Sequence, residues 1–534
     1  MDRNHLKRYA HRANGVGERP TDKPKKSRHG YIALLLIGCS GGPGAGADAG
    51  SDTLTDPDAF VSLETFVTYL GGDSFEQARD VVVDRDGNTI IVGGTQSPSF
   101  PTTPGAYDTT FDNSGGMLGS GGPMDVFVTK LSPTGSLVWS TLIGGPNYDR
   151  AYAVEVDAAG DIYIAGRAGA GFPTTPGVLQ STFGGDVMVN ALYGPQDGFI
   201  AKLSKDGATL LWSTYFGSDD REIIRDIDLD ATGIYVGVGE LMRSHPHVTS
   251  GAFDTSHGAQ SDEVVAKVLL DGTAVVWATY FGGNGQDGVP TVRVGIDGSV
   301  YLIASTTSTD LPTTPGALQR IHAGGEDFFV AKLAPDGASL VYCTYVGGNG
   351  TDAHETHHAV VNAQGEVIVG FYSTSTNLVT TTGAVKATPT GGADGYVARI
   401  SASGSTLVAA TYIGGNGGED VQGLATDAMG RIYVGGTTSS TNMPTTAGAY
   451  QATPSANGNA FVAELSSDMT SIVYLTYLGG GADDQQRSLA IDSAGNVVTV
   501  GQTASAQLAT TAGAAQGSYG GGTADSLVGA FRIH

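Results

Sequence analysis

Histidine gives the most direct hint of chemistry in this chain. Eight histidines follow Cys39, and seven of them fall between residues 245 and 358. The stretch His354-Glu355-Thr356-His357-His358 matches H-E-x-x-H. That spacing binds zinc when a helix sets two imidazoles on one side. Here the stretch runs from a loop into a strand-like segment, so the geometry for a metalloprotease is wrong. The milder chemistry is a divalent metal held by His245, His247, His354, His357 and His358 with Asp352 and Glu355. Solvated loop histidines are the plainer alternative.

Acids form the second pattern. Glu76, Asp149, Glu222, Asp287, Asp352, Glu419 and Asp484 each stand four residues after the last position of a repeated motif. A ring of carboxylates could hold cations. A feature present in every repeat is better explained as scaffold, with each carboxylate accepting backbone N–H bonds in a turn. The chain shows no P-loop and no dinucleotide fingerprint at a strand–helix junction.

The elements that position these residues come from the repeat itself. TYxGG or a close copy begins at Thr68, Thr141, Thr214, Thr279, Thr344, Thr411 and Thr476. Such regularity marks a repeat architecture. Between copies lie four short stretches rich in Val, Ile, Tyr and Phe, bounded by turn residues, which is the strand signal. In the sixth unit these are Val421–Thr426, Arg431–Gly436, Ala460–Leu465 and Ser471–Leu478, here called A to D. A glycine (Gly87, Gly160, Gly233, Gly298, Gly365, Gly430, Gly495) recurs in the A–B turns, where a positive φ is needed. The first apolar stretch, Leu63 to Leu70, is a lone D strand, and the last unit stops after C. The expected fold is therefore all-β: seven blades of four antiparallel strands. The N-terminal D strand is expected to pair with the C-terminal blade and close the ring, leaving no exposed sheet edges.

The TYxGG copies, the DxxGxxY turns such as Asp157–Tyr163, and the PTTPGA loops at Pro101, Pro173 and Pro312 together resemble the bacterial seven-bladed beta-propeller repeat proteins (SBBP repeats). The resemblance spans about residues 63–534. It implies a propeller in a secreted or surface-attached bacterial protein and no defined reaction.

Composition agrees with many turns between short strands: 81 of 534 residues are glycine and 15% are charged. The net charge of −25 is uneven, because residues 1–38 hold nine basic and three acidic groups. So acidic a body repels nucleic acid. Tyr31-Ile32-Ala33-Leu34-Leu35-Leu36-Ile37 is too short to span a bilayer and suits a secretory signal. Its end, Leu36-Ile37-Gly38-Cys39, looks like a bacterial lipobox, which implies cleavage before Cys39 and lipidation of its thiol. Residues 1–38 are thus read as a lipoprotein signal peptide, 39–60 as a Gly/Ala/Ser/Asp tether, and 61–534 as the propeller. Cys343 stands where sister repeats place Ser140, Ser213 or Ala278, and reads as a small packed side chain.

Blades one and two are longer than the rest in their B–C loops, from Phe111 to Pro123 and from Ser181 to Gln196. The second loop carries Phe183, Met188, Val189, Leu192 and Tyr193, an apolar set that suits recognition. A loop folded on itself is the alternative. The resulting expectation is a monomeric cell-envelope lipoprotein that binds a protein or polysaccharide and meets the membrane only through its lipid. Phe183, Met188, Leu192 and Tyr193 are the expected contact residues. Two alternatives stand beside it: a metal-dependent hydrolase or lyase using the His245–His358 sector, and a purely structural envelope protein.

Overall fold

Short runs of β-branched and aromatic residues, cut every few positions by Gly, Asp or Pro, can bury their faces only by stacking sheet on sheet. The computed structural model describes residues 64–186, 190–258, 260–353, 359–455, 457–493 and 495–533. Cys39, the leader and the tether lie outside the described residues. So do Met188, Val189 and the stretch from His354 to His358.

Among the described residues there is no helix, and the strands form seven antiparallel sheets. Blade one is β2 (Glu76–Val83), β3 (Thr89–Thr95), β4 (Asp125–Leu131) and β5 (Leu137–Ile143). Blade two is β6 (Arg150–Val156), β7 (Ile162–Ala168), β8 (Asp197–Leu203) and β9 (Leu210–Phe216). Blade three is β10 (Ile223–Asp230), β11 (Gly233–Leu241), β12 (Asp262–Val268) and β13 (Val275–Phe281). Blade four is β14 (Asp287–Val294), β15 (Val300–Thr306), β16 (Asp327–Leu333) and β17 (Leu340–Val346). In blade five the first strand is split into β18 (Asp352–Ala353) and β19 (Ala359–Val361), followed by β20 (Val367–Ser373), β21 (Asp394–Ile400) and β22 (Leu407–Ile413). Blade six is β23 (Glu419–Thr426), β24 (Ile432–Thr438), β25 (Asn459–Leu465) and β26 (Ile472–Leu478). Blade seven is β27 (Asp484–Ile491), β28 (Asn496–Thr503) and β29 (Asp525–Arg532), with β1 (Glu64–Leu70) beside β29. In that pairing Phe66 faces Ala530 and Leu70 faces Ser526.

First strands pack on first strands around the ring, and β2 of blade one meets β27 of blade seven. Strand A is therefore innermost and strand D outermost. The Pro-Thr-Thr loops cover the outer edge: Thr175 donates its N–H to Ser213 O at 3.1 Å, and Leu179 to Gly272 O at 2.9 Å in the next blade. Each loop thus blunts an exposed D strand and stitches it to its neighbour.

Six of the seven A–B turn glycines have positive φ, from 75° to 90°. Gly233 does not: it pairs with Asp230 inside a tighter turn. Cys343 is buried opposite Ala331, and burial pushes its thiol up to about 12, as suits a packing residue.

Candidate functional site

The repeat acids are scaffold in their contacts. The carboxylate of Asp149 accepts the N–H of Gly145 at 2.7 Å and of Gly169 at 2.8 Å. Asp287 accepts Gly283 N–H at 2.9 Å, Thr306 Oγ1 at 2.5 Å and Ser308 Oγ at 2.9 Å. Asp352 bonds Gly348 N–H and Ser375 in the same way, and Glu76, Glu419 and Asp484 follow suit. Glu222 is held by Ser218, which replaces the second glycine of the motif.

A second set of acids was missed by the sequence reading, although a D or N opens every C strand. These are Asp125, Asp197, Asp262, Asp327, Asp394 and Asp525, with Asn459 in blade six. The first glycine of each Gly-Gly pair sits between the two sets. A Cβ on Gly282 would lie 2.4 Å from Asp262 Oδ1 and 2.8 Å from Asp287 Oδ2. Burial pushes Asp125 and Asp197 up to about 8, and Glu222 to about 9. Blade five supplies its own cation, with Lys386 on Asp394, and blade six carries a neutral amide instead.

The histidines divide. His245 stacks on Phe216 at 5.0 Å, His247 lies tilted against the same ring at 4.8 Å, and the His245 backbone donates its N–H to Tyr280 OH. Burial brings His245 down to about 3 and lowers His247. Their contacts lie with Phe216, Tyr280 and Gln180, whereas Asp352 is engaged by Gly348, Ser373 and Ser375. Among the described residues, no three of His, Cys, Asp and Glu are grouped to hold a metal. His354, Glu355, His357 and His358 lie outside them.

The enlarged loops of blades one and two behave as one body. Ser120 donates its N–H to Ala191 O at 2.9 Å, and Gly121 to Leu192 O at 2.8 Å. The expected contact residues separate here. Phe183 is half-buried and meets Tyr215 edge-on at 5.7 Å, which packs it on the core of blade two. Leu192 remains exposed, joined by Met117 and Leu118 from the blade-one loop, which the sequence reading passed over. Tyr193 lies over Arg167, 3.7 Å from ring centre to guanidinium carbon.

Beneath Tyr193 is an arginine cluster that no sequence motif announces. A β-bulge re-aims one residue near the start of most A strands. The skipped residues are Arg79, Tyr152, Arg225, Gln422 and Arg487. The bulge pushes a carbonyl toward strand B, which leaves room only for glycine: a Cβ on Gly166 would meet Arg150 O at 2.1 Å. In blades one to three the re-aimed residues converge. Arg79, Arg150, Arg167 and Arg225 surround the Tyr152 ring at 4.7, 5.1, 5.5 and 5.0 Å. Arg150 and Arg167 are direct cross-strand partners, and both are buried. Arg150 donates to Tyr148 OH at 3.1 Å and to Gln77 Oε1, and Arg167 has only tyrosine rings. Burial would raise the Tyr152 phenol, but the guanidiniums, Arg150 foremost, bring it down to about 7.

A family model described as a beta-propeller repeat, SBBP, matches residues 138–173. The chain carries an SBBP repeat. That stretch runs from strand D of blade one into the B–C loop of blade two. A curated relative, regulatory protein FlaEY of Caulobacter vibrioides, is 24% identical over 399 residues, 63% of this chain. The match covers 40% of that relative's own length. Solved structures of similar form include an ulvanlyase, 12% identical with TM-score 0.44, covering 82% of this chain and 93% of that one. Another is BamB from Moraxella catarrhalis, 12% identical with TM-score 0.34, covering 87% and 85%. A third is a quinohemoprotein alcohol dehydrogenase from Pseudomonas putida, 9% identical with TM-score 0.38, covering 88% and 76%. All three TM-scores lie below 0.5. The repeated scaffold is thus one thing, and the features peculiar to blades one to three another.

Proposed function

We propose that this chain is a binding module of the cell envelope, held there by lipid on Cys39, whose ligand is an envelope or extracellular polysaccharide. The observation that carries the reading is the union of two loop insertions into one platform by the hydrogen bonds of Ser120 and Gly121 to Ala191 and Leu192. Scaffold recurs in all seven blades, whereas this platform belongs to two, and functional surfaces concentrate in such departures. Its top exposes Met117, Leu118 and Leu192 side by side in sequence and bonding, an apolar surface rimmed by polar loop residues.

The test compares the full chain with a Met117→Ser/Leu118→Ser/Leu192→Ser variant for binding to fractionated envelope polysaccharide and envelope protein. Polysaccharide binding is expected to weaken at least about tenfold with an unchanged melting temperature, since exposed side chains contribute little to stability. Equal binding by both forms, or loss confined to the protein fraction, overturns the proposal.

A further inference from the structure

We infer that the guanidinium cluster of blades one to three is an oxyanion site, and that it receives the carboxylate or sulfate of an acidic polysaccharide lying on the joined loops. The inference rests on the binding reading above and names its ligand chemistry. Its basis is separate from the loops.

Arg150 and Arg167 stand directly opposite each other on β6 and β7. Like charges at that position repel. Both are buried, and among the described residues neither pairs with a carboxylate, and Arg167 Nε and Nη2 and Arg150 Nε have no hydrogen-bond acceptor. Charge taken out of water without a partner is costly. Two further guanidiniums, of Arg79 and Arg225, stand around the same tyrosine ring. A planar fork of N–H donors matches the paired oxygens of a carboxylate or sulfate. One such group supplies the acceptors that Arg150 and Arg167 lack.

The rest of the ligand follows from the surroundings. The arginines are recessed, so the anionic group must project from a slim chain. The net charge of −25 repels a densely charged polyanion such as nucleic acid, while sparse charges on a sugar polymer are tolerated. Above the cluster, the apolar edge of Met117, Leu118 and Leu192 suits the C–H faces of pyranose rings.

The test uses the full chain and Arg167→Gln. In sodium chloride, R167Q melts no lower than wild type, because the ring contacts it loses are offset by removal of a buried charge that has no carboxylate partner among the described residues. If the arginine serves structure alone, R167Q melts lower in every buffer, and that result overturns the inference. Sodium sulfate or sodium glucuronate, against sodium chloride at equal ionic strength, raises wild-type melting by about 2 °C or more and leaves R167Q unmoved. Chondroitin sulfate binds wild type about tenfold more tightly than R167Q. Tighter binding of polyglutamate than of chondroitin sulfate overturns the polysaccharide assignment, and so does sulfate binding as tightly as the polymer. The triple loop variant separates the two readings: it keeps the sulfate shift and loses the polymer. Loss of polymer in that variant, with no small-anion shift in wild type, leaves the platform standing and removes the oxyanion site.

Discussion

Blades two and six carry the same backbone device and opposite polar chemistry. Each has a bulge near the start of strand A and a strand-B glycine under its carbonyl. In blade six the bulge residue is Gln422, whose amide donates to Asp420 and accepts from Arg487 at 3.0 Å. Arg487 also donates to Gln485 Oε1 at 2.7 Å. The guanidinium there meets amide oxygens, and a carboxylate belongs to the set, with its Oδ2 bonded to Gln422 and its Oδ1 left without a partner among the described residues. In blade two the bulge residue is Tyr152, and Arg167 beside it meets only rings. Buried polar groups in proteins are normally satisfied. One copied scaffold has thus produced an arginine bonded to two amide oxygens on one side and an arginine that meets rings on the other, and the second lies under the enlarged loops.

The largest expected effect tests the shared device. Gly166→Ala would set a Cβ 2.1 Å from Arg150 O, and Gly436→Ala one 2.3 Å from Asp420 O. No side chain can move aside, because the obstacle is backbone. Each substitution is expected to cost more than about 3 kcal/mol, read by thermal or denaturant unfolding. A tolerated G166A with an intolerant G436A would mean that blade two does not share the bulge geometry.

The same glycines show how far the sequence could be read. TYxGG, the acid four residues on, and the A–B turn glycines recur at regular spacing, so seven blades could be counted from periodicity alone. Their reason is local: Gly282 must fit between Asp262 and Asp287, and that constraint repeats with the unit. The arginine cluster was not legible. Arg79, Arg150, Arg167 and Arg225 come from three blades and four strands, and only ring geometry and the bulges bring them to one tyrosine. The histidines show the opposite limit. They lie close in sequence, but His245 and His247 pack on Phe216 of the preceding blade. At Phe183 the sequence leaves two roles open, since an apolar loop residue can serve as a root as readily as a contact, and its ring meets Tyr215.

An intermediate effect separates the two polar networks. Arg487→Gln removes donors that buried amide oxygens depend on, and leaves Gln422 Oε1 and Gln485 Oε1 short of partners. It is expected to destabilise by about 1–3 kcal/mol in any salt. The substitution should show no response to sulfate beyond that of wild type. An R487Q variant as stable as wild type would erase the contrast, since both arginine sites would then be equally unsatisfied.

The smallest effect concerns the blade boundaries and depends on pH. Asp197 is buried and its carboxyl is raised to about 8, mainly by burial. A carboxyl raised in the folded state binds protons more tightly there than in the unfolded chain, so folding is favoured below the ordinary carboxylate range. That contribution is lost as pH rises from about 4 through about 8. Blade six avoids the penalty with Asn459, whose Oδ1 accepts the Ser455 N–H at 3.1 Å while its Nδ2 donates to Asn457 O at 2.7 Å. Asp197→Asn copies that solution and keeps an acceptor for the Gly184 N–H, which Asp197 receives at 2.6 Å. It is expected to stabilise the protein by about 1–2 kcal/mol at pH 8.5 and by little at pH 5. Asn459→Asp should do the reverse, destabilising at pH 8.5 and not at pH 5, because it places a second carboxyl beside Asp484 against Gly479. Melting curves of both variants at the two pH values decide the matter. If D197N lowers stability at pH 8.5, the blade-two carboxyl is held as an anion by its surroundings, and blade six is not the relaxed form of the same joint.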